Sequence, residues 1–229
     1  MLVVEKAEKV YGDIERGVAA LRGVSFQVGA GDFIALMGPS GCGKSTLLHL
    51  VGGMDRPTHG SIELDGARLD SLGEEALAKI RRKKIGFVFQ FFNLLPTLTV
   101  AENVALPMML DGAASRASRA RSLELLDRVG LGDRASHFPA ELSGGEMQRA
   151  AVARAIVNDP AIVLADEPTG NLDSRNGEQV MNLLAGLNRE HGITIILATH
   201  SEEAARFTKR TIRMRDGRIE RDQENSPKA

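Results

Sequence analysis

The chain has 229 residues, 43% of them hydrophobic and 26% charged, with a formal net charge of -1. That balance allows one sizeable core with a small attached subdomain, and it excludes a disordered or fibrous chain. A near-neutral chain has no overall positive field to recruit nucleic acid, so no nucleic-acid partner is expected.

In chain order, residues 3–10, 24–28 and 62–64, separated by Gly-containing turns, read as antiparallel strands beside a main sheet. Phe33–Met37 is a nearly continuous apolar run, as are 162–165 and 194–198. Such runs mark parallel strands buried on both faces under helices. With Ile85–Phe89 and 210–214 they predict an α/β core. Between 99 and 136 the period changes: 104–110 and 123–129 carry helical spacing, around a polar stretch at 111–122 rich in Ala, Ser and Arg. A mostly helical subdomain inserted into the α/β core is expected, with Met108 and Met109 in its interior. The whole of 1–229 then reads as one domain. Residues 1–98 and 137–220 supply the α/β core and β subdomain, 99–136 the helical subdomain, and 221–229 a polar, disordered tail.

No stretch approaches the roughly 20 uninterrupted apolar residues of a membrane helix, and the N-terminus lacks a basic leader with an apolar run. The single cysteine, Cys42, can form no intrachain disulfide, which fits a reducing compartment. A cytoplasmic chain is expected.

Directly after Phe33–Met37 comes Gly38-Pro39-Ser40-Gly41-Cys42-Gly43-Lys44-Ser45-Thr46, followed by apolar residues at helical spacing. This is the G-x-x-x-x-G-K-[ST] pattern in its required strand–loop–helix setting. Its glycines let backbone N–H groups converge on phosphate, and the helix behind points its positive end at the same anion. Lys44 would reach the terminal phosphates and Ser45 would ligate Mg²⁺. Alone, this loop specifies a nucleotide phosphate and nothing narrower.

Residues 162–165 deliver Asp166 and Glu167 to the end of a buried strand, where an open α/β sheet places its chemistry. Asp166 would hold Mg²⁺, directly or through water, and Glu167 would orient and polarise the attacking water. An ordinary Glu is a weak base at neutral pH, so positioning matters as much as proton abstraction.

Leu142-Ser143-Gly144-Gly145-Glu146 opens a further helical run, and Asn171-Leu172-Asp173 and His200 follow the acidic pair. The order of phosphate loop, Gln90, this pentapeptide, Asp166-Glu167, Asn171–Asp173 and His200 is similar to that of ABC transporter ATPases over nearly the whole chain. The resemblance implies a P-loop NTPase core whose inserted helical subdomain continues into the helix after Ser143. It implies ATP hydrolysis with Mg²⁺. By resemblance, Tyr11 stacks on adenine, Gln90 touches Mg²⁺ and water, and His200 contacts the γ-phosphate. Tyr11 also reads as an ordinary strand-end aromatic, Gln90 as a capping amide, and His200 as a structural histidine. Ser143, Gly144 and Gly145, with Glu146, form a second anion-binding helix start. In the family this faces the nucleotide of a partner chain in a head-to-tail dimer, with Asp173 near the seam. A second copy of the chain and a separate transmembrane permease are therefore the implied partners.

Residues 52–58, 93–96 and 168–173 resemble the group of these ATPases that contains LolD, the MacB ATPase domain and FtsE. That implies either export or extraction of a lipoprotein, peptide or drug, or regulation of a cell-wall hydrolase without transport. It also implies attachment to the inner membrane face through the permease. Ser201 departs from the group's usual Asp. The apolar residues at 91–96 either receive a helix of the membrane partner or pack the junction between subdomains. Arg81-Arg82-Lys83-Lys84, Arg116, Arg119 and Arg121 read as solvated faces.

Overall fold

In the computed structural model, which describes residues 1–12 and 17–225, two sheets form. The antiparallel one joins β1 (Leu2–Tyr11) to β2 (Val18–Val28) on one side and β4 (His59–Leu64) on the other, with the short β5 (Ala67–Arg68) at its edge. The larger sheet contains β3 (Phe33–Met37), β6 (Ile85–Phe89), β7 (Ile162–Asp166), β8 (Thr194–Thr199), β9 (Arg210–Arg215) and β10 (Arg218–Glu224). Its order is β10-β9-β3-β8-β7-β6, parallel throughout except for β10. Every residue of β3 and β8 is buried, as expected of central strands covered on both faces.

Alternation divides the core into two layers. Ile34, Leu36 and Ile196 face α1 (Lys44–Val51), α2 (Glu74–Lys84) and the antiparallel sheet. Phe33, Val163, Ile195 and Leu197 face α5 (Gly144–Ile156) and α6 (Ser174–His191), with α3 (Val100–Leu110) and α4 (Ser115–Arg128) packed beyond. A Cβ on Gly86 of β6 would lie 2.2 Å from the Ala155 carbonyl oxygen, so only glycine lets α5 lie this close to the strand.

Helix α3 starts with a reciprocal cap: Thr99 Oγ1 accepts from the Glu102 N–H, and Glu102 accepts from the Thr99 N–H. Its next amides, of Val100 and Ala101, donate to the carbonyls of His137 and Ala135 at 2.8 and 2.9 Å. The stretch 111–122 is less irregular than its polarity suggests. Helix α4 begins at Ser115, since Ala and Arg are good helix formers even where no apolar face is evident. Met109 is 48% exposed, not interior, while Met108 packs on the core.

The tail expectation needs correcting. Arg221–Glu224 belong to the edge strand β10, where pairing with β9 is reinforced by a two-pronged contact from Arg210 to Asp222 at 2.7 and 2.5 Å. Asn225 accepts from Thr211 Oγ1 and donates to the Thr208 carbonyl, and residues 226–229 lie outside the described residues. Of the basic run, Lys83 and Lys84 are solvated as expected, Lys83 pairing with Asp111 at 3.0 Å, while part-buried Arg81 donates to the Gly53 carbonyl at 2.5 Å. Arg121 bridges Glu124 and Asp159.

Candidate active site

Residues 38–43 turn from the end of β3 into α1. Gly38, Gly41 and Gly43 all have positive φ, at 155°, 78° and 105°. A Cβ on Gly38 would come 2.2 Å from the Met214 carbonyl oxygen and one on Gly43 2.6 Å from that of Ala20, whereas one on Gly41 would meet nothing within 4 Å. Between them lie Pro39, whose carbonyl accepts from the Cys42 N–H at 3.3 Å, and Ser40, which is exposed. The Cys42 thiol is buried under the loop. Helix α1 has Gly43 at its N-cap and no side chain capping it, so its first amides are left for an anion.

Lys44, buried, donates from Nζ to the carbonyls of Gly38 at 2.8 Å and Pro39 at 3.2 Å, and sits 3.9 Å from Glu167 Oε1. Burial pushes the Asp166 carboxyl above the usual carboxylate range; the Ser45 hydroxyl opposes that shift and the neighbouring Glu167 charge adds to it. Asp166 Oδ1 is buried with no hydrogen-bond partner. An orphaned carboxylate oxygen beside a serine hydroxyl suits a hard divalent cation, which would stabilise the ionised form that burial disfavours.

Glu167 has φ of 46°, a conformation few non-glycine residues adopt, and is held there by its N–H to the Ala198 carbonyl at 2.9 Å. Its Oε1 lies 3.0 Å from His200 Nδ1, and its Oε2 accepts from Thr199 Oγ1 at 3.2 Å. Lys44, Glu167 and His200 therefore form one chain of contacts across β3, β7 and β8. Gln90, just past β6, donates from Nε2 to Asn171 Oδ1 at 3.2 Å, and the Asn171 amide donates back to the Gln90 carbonyl at 3.0 Å. A Cβ on Gly170 would meet Gln90 Nε2 at 2.8 Å, so that glycine makes the approach possible.

Tyr11 is 43% exposed at the end of β1; its hydroxyl donates to Asp55 at 2.9 Å and Lys9 Nζ stands 4.9 Å over its ring. Partial burial and the Asp55 bond push the phenol up, and the Thr46 side chain opposes that shift. Ser143 caps α5: its hydroxyl accepts from the Glu146 N–H, while the Glu146 carboxylate accepts from the Ser143 N–H at 2.8 Å and also pairs with Arg134. Glu146 thus spends its charge within the cap. A Cβ on Gly144 would touch Leu172 at 3.4 Å, and one on Gly145 would meet Asn176 at 2.3 Å. Asp173 caps α6 through the Asn176 N–H, which with the Asn176 side chain holds its carboxyl below the usual range. This second helix start is packed against residues 171–176 of the same chain.

A family model described as "ABC transporter" matches residues 21–170. The chain belongs to the ABC transporter ATPase family. It is 49% identical over 219 residues to an uncharacterized ABC transporter ATP-binding protein, MJ1508, of Methanocaldococcus jannaschii, covering 96% of this chain and 97% of that one. It is 47% identical over 219 residues to the lipoprotein-releasing system ATP-binding protein LolD of Geobacter metallireducens, again covering 96% and 97%. Among solved structures, the dimeric ATP-binding cassette MJ0796 bound to ADP and Pi superposes with a TM-score of 0.90 at 44% identity, covering 98% of each chain. This ABC ATPase therefore has the P-loop fold and ATP-hydrolysing activity that its landmarks imply, in a family whose cassettes dimerise.

Several contacts in the ABC site were not legible beforehand. Thr199 orients Glu167, Asp55 orients Tyr11, and Asn171 engages Gln90 across 81 positions of sequence. Only Asn171 carried a signal, as part of a family landmark.

Proposed function

We propose that this ABC ATPase powers a separate membrane permease by ATP-driven head-to-tail dimerisation, in the manner of the LolD and MacB group, to export or extract a lipoprotein, peptide or drug. The observation that carries the permease reading is a groove of about 330 Å³ between β6, α3 and the end of α5. It is lined by Met54, Phe87, Leu106 and Leu110 together with Arg81 and Arg154. Beside it Phe91 is 72% exposed and Leu95 44% exposed, while Leu94 packs inward, so different residues of 91–96 serve the two purposes. A mostly apolar groove of this size next to the exposed Phe91 and Leu95 suits a short helix of a partner. Among the described residues no helix is long and apolar enough to cross a membrane, so attachment to the inner face of the membrane would run through that partner.

In the proposed cycle the 38–43 loop and the start of α1 bind the ATP phosphates, Lys44 moves its donors from loop carbonyls to phosphate oxygens, and Tyr11 flanks the base. Ser45, Asp166 and Gln90 Oε1 would hold Mg²⁺. The cation would neutralise phosphate charge as it is transferred. Glu167, kept in place by Thr199 and His200, orients water toward the γ-phosphate. Ser143, Gly144 and Gly145 of a second copy close the other side, with Asp173 at the seam. The LolD relative supports the narrower cargo reading by its extent.

Copurification from membranes of the source cell tests the partner. An integral membrane protein with four spans and a large extracytoplasmic insert is expected, with recovery falling for Leu110→Asp. Recovery without a membrane partner, or recovery indifferent to Leu110→Asp, would count against the reading; a partner that binds a cell-wall hydrolase and moves no cargo would favour the regulatory alternative.

A further inference from the structure

We propose that Gln148 is a positioning residue for ATP turnover, holding from the buried face of α5 the two chain segments that present Gln90 and Glu167. Its side chain is wholly inaccessible. Nε2 donates to the Phe89 carbonyl at 3.2 Å and the Pro168 carbonyl at 2.7 Å. Phe89 immediately precedes Gln90, and Pro168 immediately follows Glu167.

Both neighbours are acceptors, so the amino end of the amide must face them. Oε1 on the other end is buried with no partner. An unpaired buried carbonyl destabilises a fold, and a Met of similar volume would fill the space without it. Packing alone therefore does not explain a glutamine here.

The place of the bridge explains it. Strands β6 and β7 are paired up to Phe89 and Asp166, and beyond that point their backbones separate into two loops. Gln148 joins them where they part, from Phe89 of the last pair to Pro168, two residues beyond Asp166. The close seat of α5 on Gly86 brings the amide within reach. Further along the same helix, half-buried Arg154 donates to the Phe92 carbonyl at 2.8 Å and to that of Asn93, two residues held at φ of 61° and 51°. Helix α5 thus grips the Gln90 loop on both sides. The same helix begins at Ser143, so a shift of its N-terminus on meeting a partner's nucleotide would be passed to both catalytic loops.

This rests on the roles proposed above for Gln90 and Glu167. The test uses the full chain with MgATP, comparing Gln148→Met, which keeps volume and removes both donors, with Gln148→Glu, which regains one donor when protonated. Thermal melts give the folded fraction, titration with a fluorescent ATP analogue gives affinity, and phosphate release gives kcat. The expected result is analogue affinity within about twofold of the parent, because the phosphate loop is untouched, with kcat per folded chain down at least tenfold. Gln148→Glu should recover activity relative to the parent as pH falls from 8 to 6. A kcat within twofold of the parent in folded Gln148→Met, or failure of both variants to fold, would overturn the positioning role. Glu167→Gln and Gln90→Ala run alongside. If they turn over normally, the reading of the site falls and this inference with it; if they lose turnover while Gln148→Met keeps it, only the inference falls.

Discussion

Glu167→Gln isolates the charge of one side chain from its shape. The glutamine has the same size, and its carbonyl oxygen can still accept from Thr199 Oγ1, now at 3.2 Å, so its position should persist. What disappears is a negative charge 3.9 Å from Lys44 Nζ and 3.0 Å from His200 Nδ1. At an effective dielectric near 20, unit charges 3.9 Å apart attract by about 4 kcal/mol before solvent screening. Lys44, relieved of that pull, remains free to exchange its loop carbonyls for phosphate, and the phosphates no longer face a like charge. ATP binding should hold or tighten. Turnover loses the group that orients water, a loss of about 100- to 10,000-fold, or roughly 3–5 kcal/mol of barrier. Phosphate release at saturating MgATP and gel filtration of the same sample measure both consequences, with an ATP-loaded dimer expected to accumulate. Turnover within tenfold of the parent, or a variant that elutes as monomer with MgATP, would refute the reasoning.

Asp166→Asn should abolish the extra thermal stability that Mg²⁺ adds to bound ATP without lowering the melting temperature of the free chain. The sign follows from burial: the folded carboxyl titrates above its unfolded value, so its contribution to stability is intact below about pH 4 and is lost as pH rises through the raised folded value. Urea unfolding from pH 4 to 7 should show that decline in the parent and a flatter profile in Asp166→Asn; parallel profiles would remove the assignment. Asn103→Ala should cost about 2–4 kcal/mol in urea unfolding, because the buried amide accepts from the Leu95 N–H at 2.7 Å and donates to the carbonyls of Leu95, Leu98 and Thr99, each at 3.0 Å. A loss below 1 kcal/mol would mean that water replaces these bonds.

The parallel strands were legible because double burial writes itself as an unbroken apolar run, and Phe33–Met37 has no other reading. The phosphate loop was legible because its glycines answer a backbone requirement visible in the spacing, which Gly38 and Gly43 bear out against Met214 and Ala20. The edge strand β10 was not. One exposed face and polar side chains leave it looking like a tail, and its hold on β9 comes from backbone pairing and the Arg210–Asp222 contact. The start of α4 was hidden for a similar reason, its only fully buried early residue being Ser118. Long-range polar contacts such as Gln90 with Asn171, or Gln148 with Phe89 and Pro168, leave no periodic trace, since two amides meet only after the strands between them have paired.

The chain enters and leaves the helical subdomain through two passages lying side by side, joined where Val100 and Ala101 donate to His137 and Ala135. Two crossings fastened to each other behave mechanically as one joint. Were α3 and α4 to move as a unit, this shared joint is where they and the root of α5 would turn together. A push on Leu110 at the far end of α3 would then reach Ser143 as rotation, with little stretch absorbed along the way.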